Sequence, residues 1–305
     1  MNELRSRFNG VFTALVTPFR DGTIDFAAFD ALVERQIAAG VAGLVPVGTT
    51  GEAATLSDDE ANALIARTVE KARGRALVMA GAGANDTNKA VEKVRRAEAA
   101  GADAVLVVTP YYNKPTQAGL IAHYGAVAGA TSLPVMLYSV PGRCGIEIAP
   151  ETCATLMRNH ANIFSIKEAG GSAARVSDLR RACGDELIVH SGDDGLTLPF
   201  LSLGAVGVTS VVANVAPESM VAMVRAWHEG NTAHALALHD LVAELTDGMF
   251  VESNPGPVKA ALALNNLSGP EMRLPMVPVS DANRERLAGI LNRYTCAASA
   301  VLGAR

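Results

Sequence analysis

Aromatic side chains are scarce in this chain, with eight Phe, five Tyr and one Trp among 305 residues. Charge is sparse as well: Asp, Glu, Lys and Arg make up 19%, and the formal net charge is −5. The negative balance disfavours a surface for nucleic-acid phosphates, and no run of Lys or Arg makes a local one. Long hydrophobic runs are missing too. The longest uncharged apolar stretch, residues 203–217, contains Thr, Ser and Asn and is too short to span a bilayer. The four cysteines, Cys144, Cys153, Cys183 and Cys296, show no CxxC spacing and read as reduced thiols of an intracellular protein. The first ten residues, MNELRSRFNG, lack the apolar core of a signal peptide. The expectation is a cytoplasmic protein with neither nucleic acid nor membrane as a partner.

What is present is alternation. The chain is 49% hydrophobic, and short apolar runs recur near residues 12–17, 43–47, 77–80, 104–109, 135–139, 163–167, 186–190 and 206–211. Most are continuous rather than alternating, as strands buried on both faces of a parallel sheet would be. Amphipathic segments separate them. The first has Phe26, Phe29, Leu32, Val33 and Ile37 at helical spacing and ends at Ala39-Gly40. Another opens on Ser57-Asp-Asp-Glu60, the pattern of a capping box. Eight strands with intervening helices predict a (β/α)8 TIM barrel, with a doubly wound sheet as the alternative. From about residue 231 strand patterns stop. Helical stretches near 232–246, 258–264 and 282–302 predict a C-terminal helical extension, so residues 1–230 read as the catalytic barrel and 231–305 as the extension.

In such a barrel, chemistry belongs at the C-terminal ends of the strands. After the second strand, Gly48-Thr49-Thr50-Gly51-Glu52 offers two hydroxyls and freed backbone N–H groups for a carboxylate or carbonyl oxygen. It reads equally as a Gly-rich turn before a capped helix. Tyr111 and Tyr112 follow the fourth strand between prolines, and exposed paired tyrosines often simply fill interfaces. The fifth strand ends in Tyr138-Ser-Val-Pro-Gly-Arg143, where a phenol and a guanidinium flank a turn; arginine suits bidentate carboxylate recognition. The sixth strand carries the sharpest signal, Ile166-Lys167-Glu168-Ala169-Gly170-Gly171. Burial disfavours a lysine cation, and the neutral amine that burial favours can attack a carbonyl carbon. The alternatives are a lysine that snorkels out of the barrel mouth or one paired with Glu168. Gly81-Ala-Gly83 lacks the third glycine of a dinucleotide fingerprint. The six histidines show no metal-ligand spacing, His190 reads as a hydrogen-bonded core residue, and Asp193 and Asp194 read as helix caps. Neither a metal nor an organic cofactor is expected.

Taken together, GTTGE (48–52), TPYYNKP (109–115), YSVPGR (138–143), IKEAGG (166–171), SGDD (191–194), ESNPGPVK (252–259) and RLPM (273–276) resemble the 4-hydroxy-tetrahydrodipicolinate synthase family. This family belongs to the class I pyruvate aldolases, which include N-acetylneuraminate lyase. The resemblance runs from about Gly10 to Leu302, with motifs in the family's order and spacing. It implies a lyase that condenses pyruvate with L-aspartate-4-semialdehyde in the diaminopimelate route to lysine, assembled as a homotetramer, a dimer of dimers. By motif, Lys167 would form the Schiff base and Tyr138 would be the central acid/base. Thr49 would link Tyr138 to Tyr112, which would reach in from a neighbouring subunit. Thr50 would hold the pyruvate carboxylate, Arg143 that of the semialdehyde, and Gly192 and Thr209 would line the pocket through their backbones. Ser139, Cys144 and Thr209 depart from the usual family residues. Lys89 stands where lysine-inhibited members resembling this chain carry a glutamate, which implies weak feedback by L-lysine. A related aldolase or dehydratase acting on a keto-deoxy sugar acid is the alternative function.

Overall fold

The computed structural model describes residues 6–303. Residues 1–5, part of the stretch read as lacking a signal peptide, and residues 304–305 lie outside the described residues. Eight parallel strands close into a barrel: β1 (Gly10–Ala14), β2 (Gly43–Val45), β3 (Leu77–Gly81), β4 (Ala104–Val108), β5 (Val135–Ser139), β6 (Ile163–Glu168), β7 (Ile188–Ser191) and β8 (Gly207–Ser210), with β8 returning to pair with β1. The (β/α)8 prediction is met.

Eight helices follow the strands in turn: α1 (Phe26–Ala38), α2 (Asp58–Ala72), α3 (Thr87–Ala99), α4 (Gln117–Ala128), α5 (Pro150–Asn159), α6 (Ala174–Cys183), α7 (Thr197–Ser202) and α8 (Pro217–His228). Their starts follow from local chemistry. Ser57 and Glu60 form the reciprocal capping box that opens α2, and Thr116 accepts from Gly119 N at the start of α4. The helix α1 stops where Gly40 takes a φ of +82°, which glycine adopts at low cost. Three more helices, α9 (Thr232–Gly248), α10 (Gly256–Leu264) and α11 (Asp281–Gly303), form the C-terminal extension, with α9 packed along α8 and α11 against α9 and α10. No helix among the described residues is long and apolar enough to cross a membrane.

Two apolar clusters hold this arrangement together. One lies between the strands and the helical layer; the other fills the barrel interior with Phe8, Phe12, Met79, Met136 and Phe164. The interior fits because small residues face large ones. Phe12 of β1 is in register with Gly43 of β2, and a Cβ on Gly43 would stand 2.2 Å from the Phe12 ring.

Three strands differ from the sequence reading by two residues or more at an end, and the second strand closes at Val45 rather than at residue 47. The first strand starts two residues earlier than expected and ends at Ala14, so residues 15–17 form the loop that leads to Pro18. The seventh begins at Ile188 rather than Glu186, because the turn at Gly184 extends to Leu187, whose N–H donates to Gly184 O. An additional hairpin, Phe19–Arg20 with Thr23–Ile24, turns through Asp21-Gly22, both at positive φ. Asp-Gly is the sequence signal for such a turn.

Candidate active site

The C-terminal ends of β5 and β6 bring the two central candidates side by side. Tyr138 and Lys167 are register partners, so their side chains emerge on the same side of the sheet. Both are buried, and Lys167 Nζ lies 4.4 Å from the centroid of the Tyr138 ring. Among the described residues Lys167 has no ion-pair partner, so the suggested pairing with Glu168 is not formed. Adjacent strand residues point to opposite faces, and Glu168 turns outward to Arg175, 3.2 Å away, and to the Gly170 N–H at 2.7 Å. Burial raises the Glu168 carboxyl above its ordinary value, while Arg175 pulls it back.

The floor beside Lys167 comes from β7 and β8. His190 is the register partner of Lys167 on β7, and is fully buried. Its Nε2 lies 2.6 Å from the Phe8 carbonyl, which can only accept, so Nε2 carries the proton and Nδ1 is the acceptor. The Thr209 hydroxyl therefore donates to Nδ1 over 3.1 Å. Burial first, and then the Lys167 charge, push His190 down to about 4 despite the Phe8 carbonyl. The Thr209 hydroxyl thereby fixes the orientation of the imidazole. Gly192 follows β7, with its N–H on Glu168 O at 2.7 Å. Asp193 accepts from the Gly195 N–H, as a capping residue does. Asp194 instead braces the loop after β8: its buried carboxylate accepts from Ser210 Oγ and from the N–H groups of Val211, at 2.9 Å, and Val212, at 3.3 Å. Burial raises the Asp194 carboxyl.

On the opposite wall, Thr49 is half-buried and Thr50 buried. The last residue of their loop, Glu52, sits at a φ of +55° and is buried. Its carboxylate accepts from Lys259 Nζ at 2.6 Å and from Arg273 N at 3.1 Å. Burial lowers the Lys259 ammonium, and Glu52 pushes the other way. Glu52 thus anchors the threonine loop to the C-terminal extension. Arg143 lies on a short helical turn, Pro141–Cys144, where it is exposed at the mouth and donates to Asn254 O over 3.3 Å.

Tyr112 lies apart from the rest. It is 90% exposed, with a φ of +75°. Among the described residues no hydrogen bond links Thr49, Tyr138 and Tyr112, so within one chain the relay is not assembled. Asn254 was not singled out from the sequence as a site residue, although it lies in the motif at 252–259. Its side-chain Nδ2 donates to Thr50 Oγ1 over 3.0 Å, across 204 residues of sequence. No local pattern marks such a contact. Among the described residues no three His, Cys, Asp or Glu side chains cluster as metal ligands would.

A closed (β/α)8 barrel whose C-terminal mouth holds a buried amine beside a phenol has the layout of a barrel lyase. The sequence model of the dihydrodipicolinate synthetase family matches residues 7–294, and the chain belongs to that family. It is similar to the 4-hydroxy-tetrahydrodipicolinate synthase of Nitratidesulfovibrio vulgaris (strain DP4), with 48% identity over 93% of this chain and 98% of that protein. The synthase of Pelobacter propionicus (strain DSM 2379 / NBRC 103807 / OttBd1) is 46% identical over 94% of this chain and 99% of its own length. Among solved structures, the 4-hydroxy-tetrahydrodipicolinate synthase of Methylacidiphilum fumariolicum SolV superimposes with a TM-score of 0.95 at 45% identity. That match covers 96% of this chain and 98% of the other.

Proposed function

We propose that this chain condenses pyruvate with L-aspartate-4-semialdehyde to give 4-hydroxy-tetrahydrodipicolinate, on the diaminopimelate route to lysine, with Lys167 as the Schiff-base residue. The observation that carries the assignment of Lys167 is its burial beside Tyr138 with no carboxylate partner among the described residues. An amine held this way attacks C2 of pyruvate and, with loss of water, gives an imine. Loss of a C3 proton yields the enamine. Its C3 attacks the aldehyde carbon of the second substrate, whose amino group then closes on C2 and expels the lysine amine. The lysine thereby supplies the electron sink, and no cofactor enters the scheme.

Tyr138 is the acid/base that serves these proton transfers. Thr50 holds the pyruvate carboxylate, Gly192 and Thr209 line its pocket, and Arg143 receives the carboxylate of the semialdehyde. Thr49 and Tyr112 complete a relay in which Tyr112 comes from a second copy. The exposure of Tyr112 supports that reading, because a phenol projecting from one chain is free to enter another. The working assembly is a homotetramer of two such dimers, in the cytoplasm. Residues 1–230 carry the chemistry, and residues 231–305 form an extension that braces it.

Borohydride reduction in the presence of pyruvate, followed by mass spectrometry, tests the assignment. A pyruvate adduct on Lys167 is expected, and its absence from that residue sinks the reading.

A further inference from the structure

We infer that Asn254 is a positioning residue that sets the polarity of the Thr50 hydroxyl and ties it to Arg143. The inference rests on the proposed roles of Thr50 and Arg143 as holders of the two substrate carboxylates.

A hydroxyl has one proton and two lone pairs. Asn254 Nδ2 donates to Thr50 Oγ1 over 3.0 Å, so it occupies acceptor capacity and leaves the Thr50 proton free to point elsewhere. A carboxylate only accepts. A threonine polarised in this direction is therefore preset to donate to one, and needs no reorientation when the ligand arrives. The same residue's main-chain carbonyl accepts from Arg143 over 3.3 Å. One residue thus touches both side chains assigned to the substrate carboxylates.

Two further observations separate this role from simple packing. Asn254 is buried, yet among the described residues its Oδ1 has no hydrogen-bond partner. An asparagine kept for structure alone normally has both ends of its amide satisfied; among the described residues its one side-chain bond is that to Thr50. Asn254 is also held firmly. Five residues on, Lys259 Nζ donates to Glu52 Oε1 at 2.6 Å and to Thr17 O at 2.9 Å. The threonine loop is therefore gripped at Thr50 and at Glu52 by one short segment of the C-terminal extension.

The test uses two variants of the full-length protein, Asn254→Leu and Asn254→Asp, with steady-state KM and kcat for both substrates. Asn254→Leu removes the donor. Asn254→Asp keeps the shape but makes the group an acceptor, so Thr50 turns its proton towards it and presents lone pairs to pyruvate. The expected result is a pyruvate KM raised about tenfold in Asn254→Leu and raised further in Asn254→Asp, the closer isostere. KM for the semialdehyde should rise severalfold, with kcat within about threefold of the parent. In a Thr50→Val background the Asn254 substitutions should leave the pyruvate KM unchanged. A purely packing role predicts the reverse order, with Leu worse than Asp. That order, a pyruvate KM within twofold of the parent in both variants, or additivity with Thr50→Val would overturn the inference. If Asn254→Leu fails to fold, Asn254→Asp alone and with Thr50→Val still decides. Borohydride trapping on the unsubstituted protein keeps the two readings apart. No adduct on Lys167 refutes the proposed chemistry, whereas an adduct with unchanged KM in the variants refutes only the role of Asn254.

Discussion

A Cβ placed on Gly192 would stand 3.0 Å from Cε of Lys167 and 2.7 Å from Cβ of Ala169. The absence of a side chain at this position is thus what lets the lysine reach its place beside Tyr138. Gly192→Ala should push the Lys167 stem aside. Displacement of about 1 Å at a reacting group can cost on the order of 100-fold in rate. The rate of pyruvate-dependent borohydride inactivation should fall tenfold or more, with a stability loss of about 1–3 kcal/mol from overpacking. An unchanged trapping rate would show that the alanine is accommodated elsewhere.

Tyr138→Phe preserves the ring that Lys167 Nζ approaches at 4.4 Å and deletes only the hydroxyl. Turnover should drop by about 10²–10⁴-fold, the usual span for a lost acid/base group. Lys167 should still be labelled by pyruvate and borohydride after long incubation, because the amine remains. Near-normal kcat would remove Tyr138 from the acid/base role.

Lys89, in the first turn of α3, has its backbone N–H capped by Asp86 Oδ1 at 2.8 Å, and its side chain is exposed. A cation at this position repels an incoming ammonium. L-Lysine should leave the rate unaltered below millimolar concentration, and Lys89→Glu should increase sensitivity. A submillimolar inhibition constant for the unsubstituted chain contradicts this expectation.

The barrel and the strand-end positions were legible because they rest on local periodicity. Buried parallel strands read as apolar runs, and a lysine near the end of one stands out against Ile163, Phe164 and Ile166. What stayed hidden depends on contacts between distant segments. Glu52 looks like one more polar residue of a glycine-rich turn, and its meaning comes from Lys259, 207 residues away. Likewise, nothing near His190 indicates that Phe8 O and Thr209 Oγ1 fix its tautomer. Tyr112 shows a different limit. Its side chain is displayed outward, and one chain contains nothing that says what it meets.

The Glu52–Lys259 ion pair invites a test by single and double substitution. Both side chains are buried and 2.6 Å apart, so removing one charge strands the other. Lys259→Met should cost about 3–5 kcal/mol in denaturant unfolding. Glu52→Gln combined with Lys259→Met should recover much of that loss, since no charge is then left buried alone. Equal losses in the single and double variants would mean that Lys259 matters for its contact with the Thr17 carbonyl or the Phe19 ring, not for its charge.

His190 should give the protein a measurable acid sensitivity. Its imidazole titrates at about 4 in the folded chain, against 6.5 for an ordinary histidine, because it is fully buried and faces the Lys167 charge. Between those values the unfolded chain holds a proton that the folded chain does not, so stability rises with pH across this window and falls as pH drops from 6.5 towards 4. Below about 4 both forms are protonated and this contribution levels off. From pH 7 to pH 5 the loss from this group alone is about 2 kcal/mol. His190→Leu should start less stable at pH 7, because Phe8 O and the Thr209 hydroxyl lose their partner, yet it should lose about 2 kcal/mol less on going to pH 5. Urea unfolding of both proteins at the two pH values measures the difference. Parallel losses would place the folded-state titration of His190 near that of a free histidine, and with it the protonated imidazole inside the barrel beside Lys167.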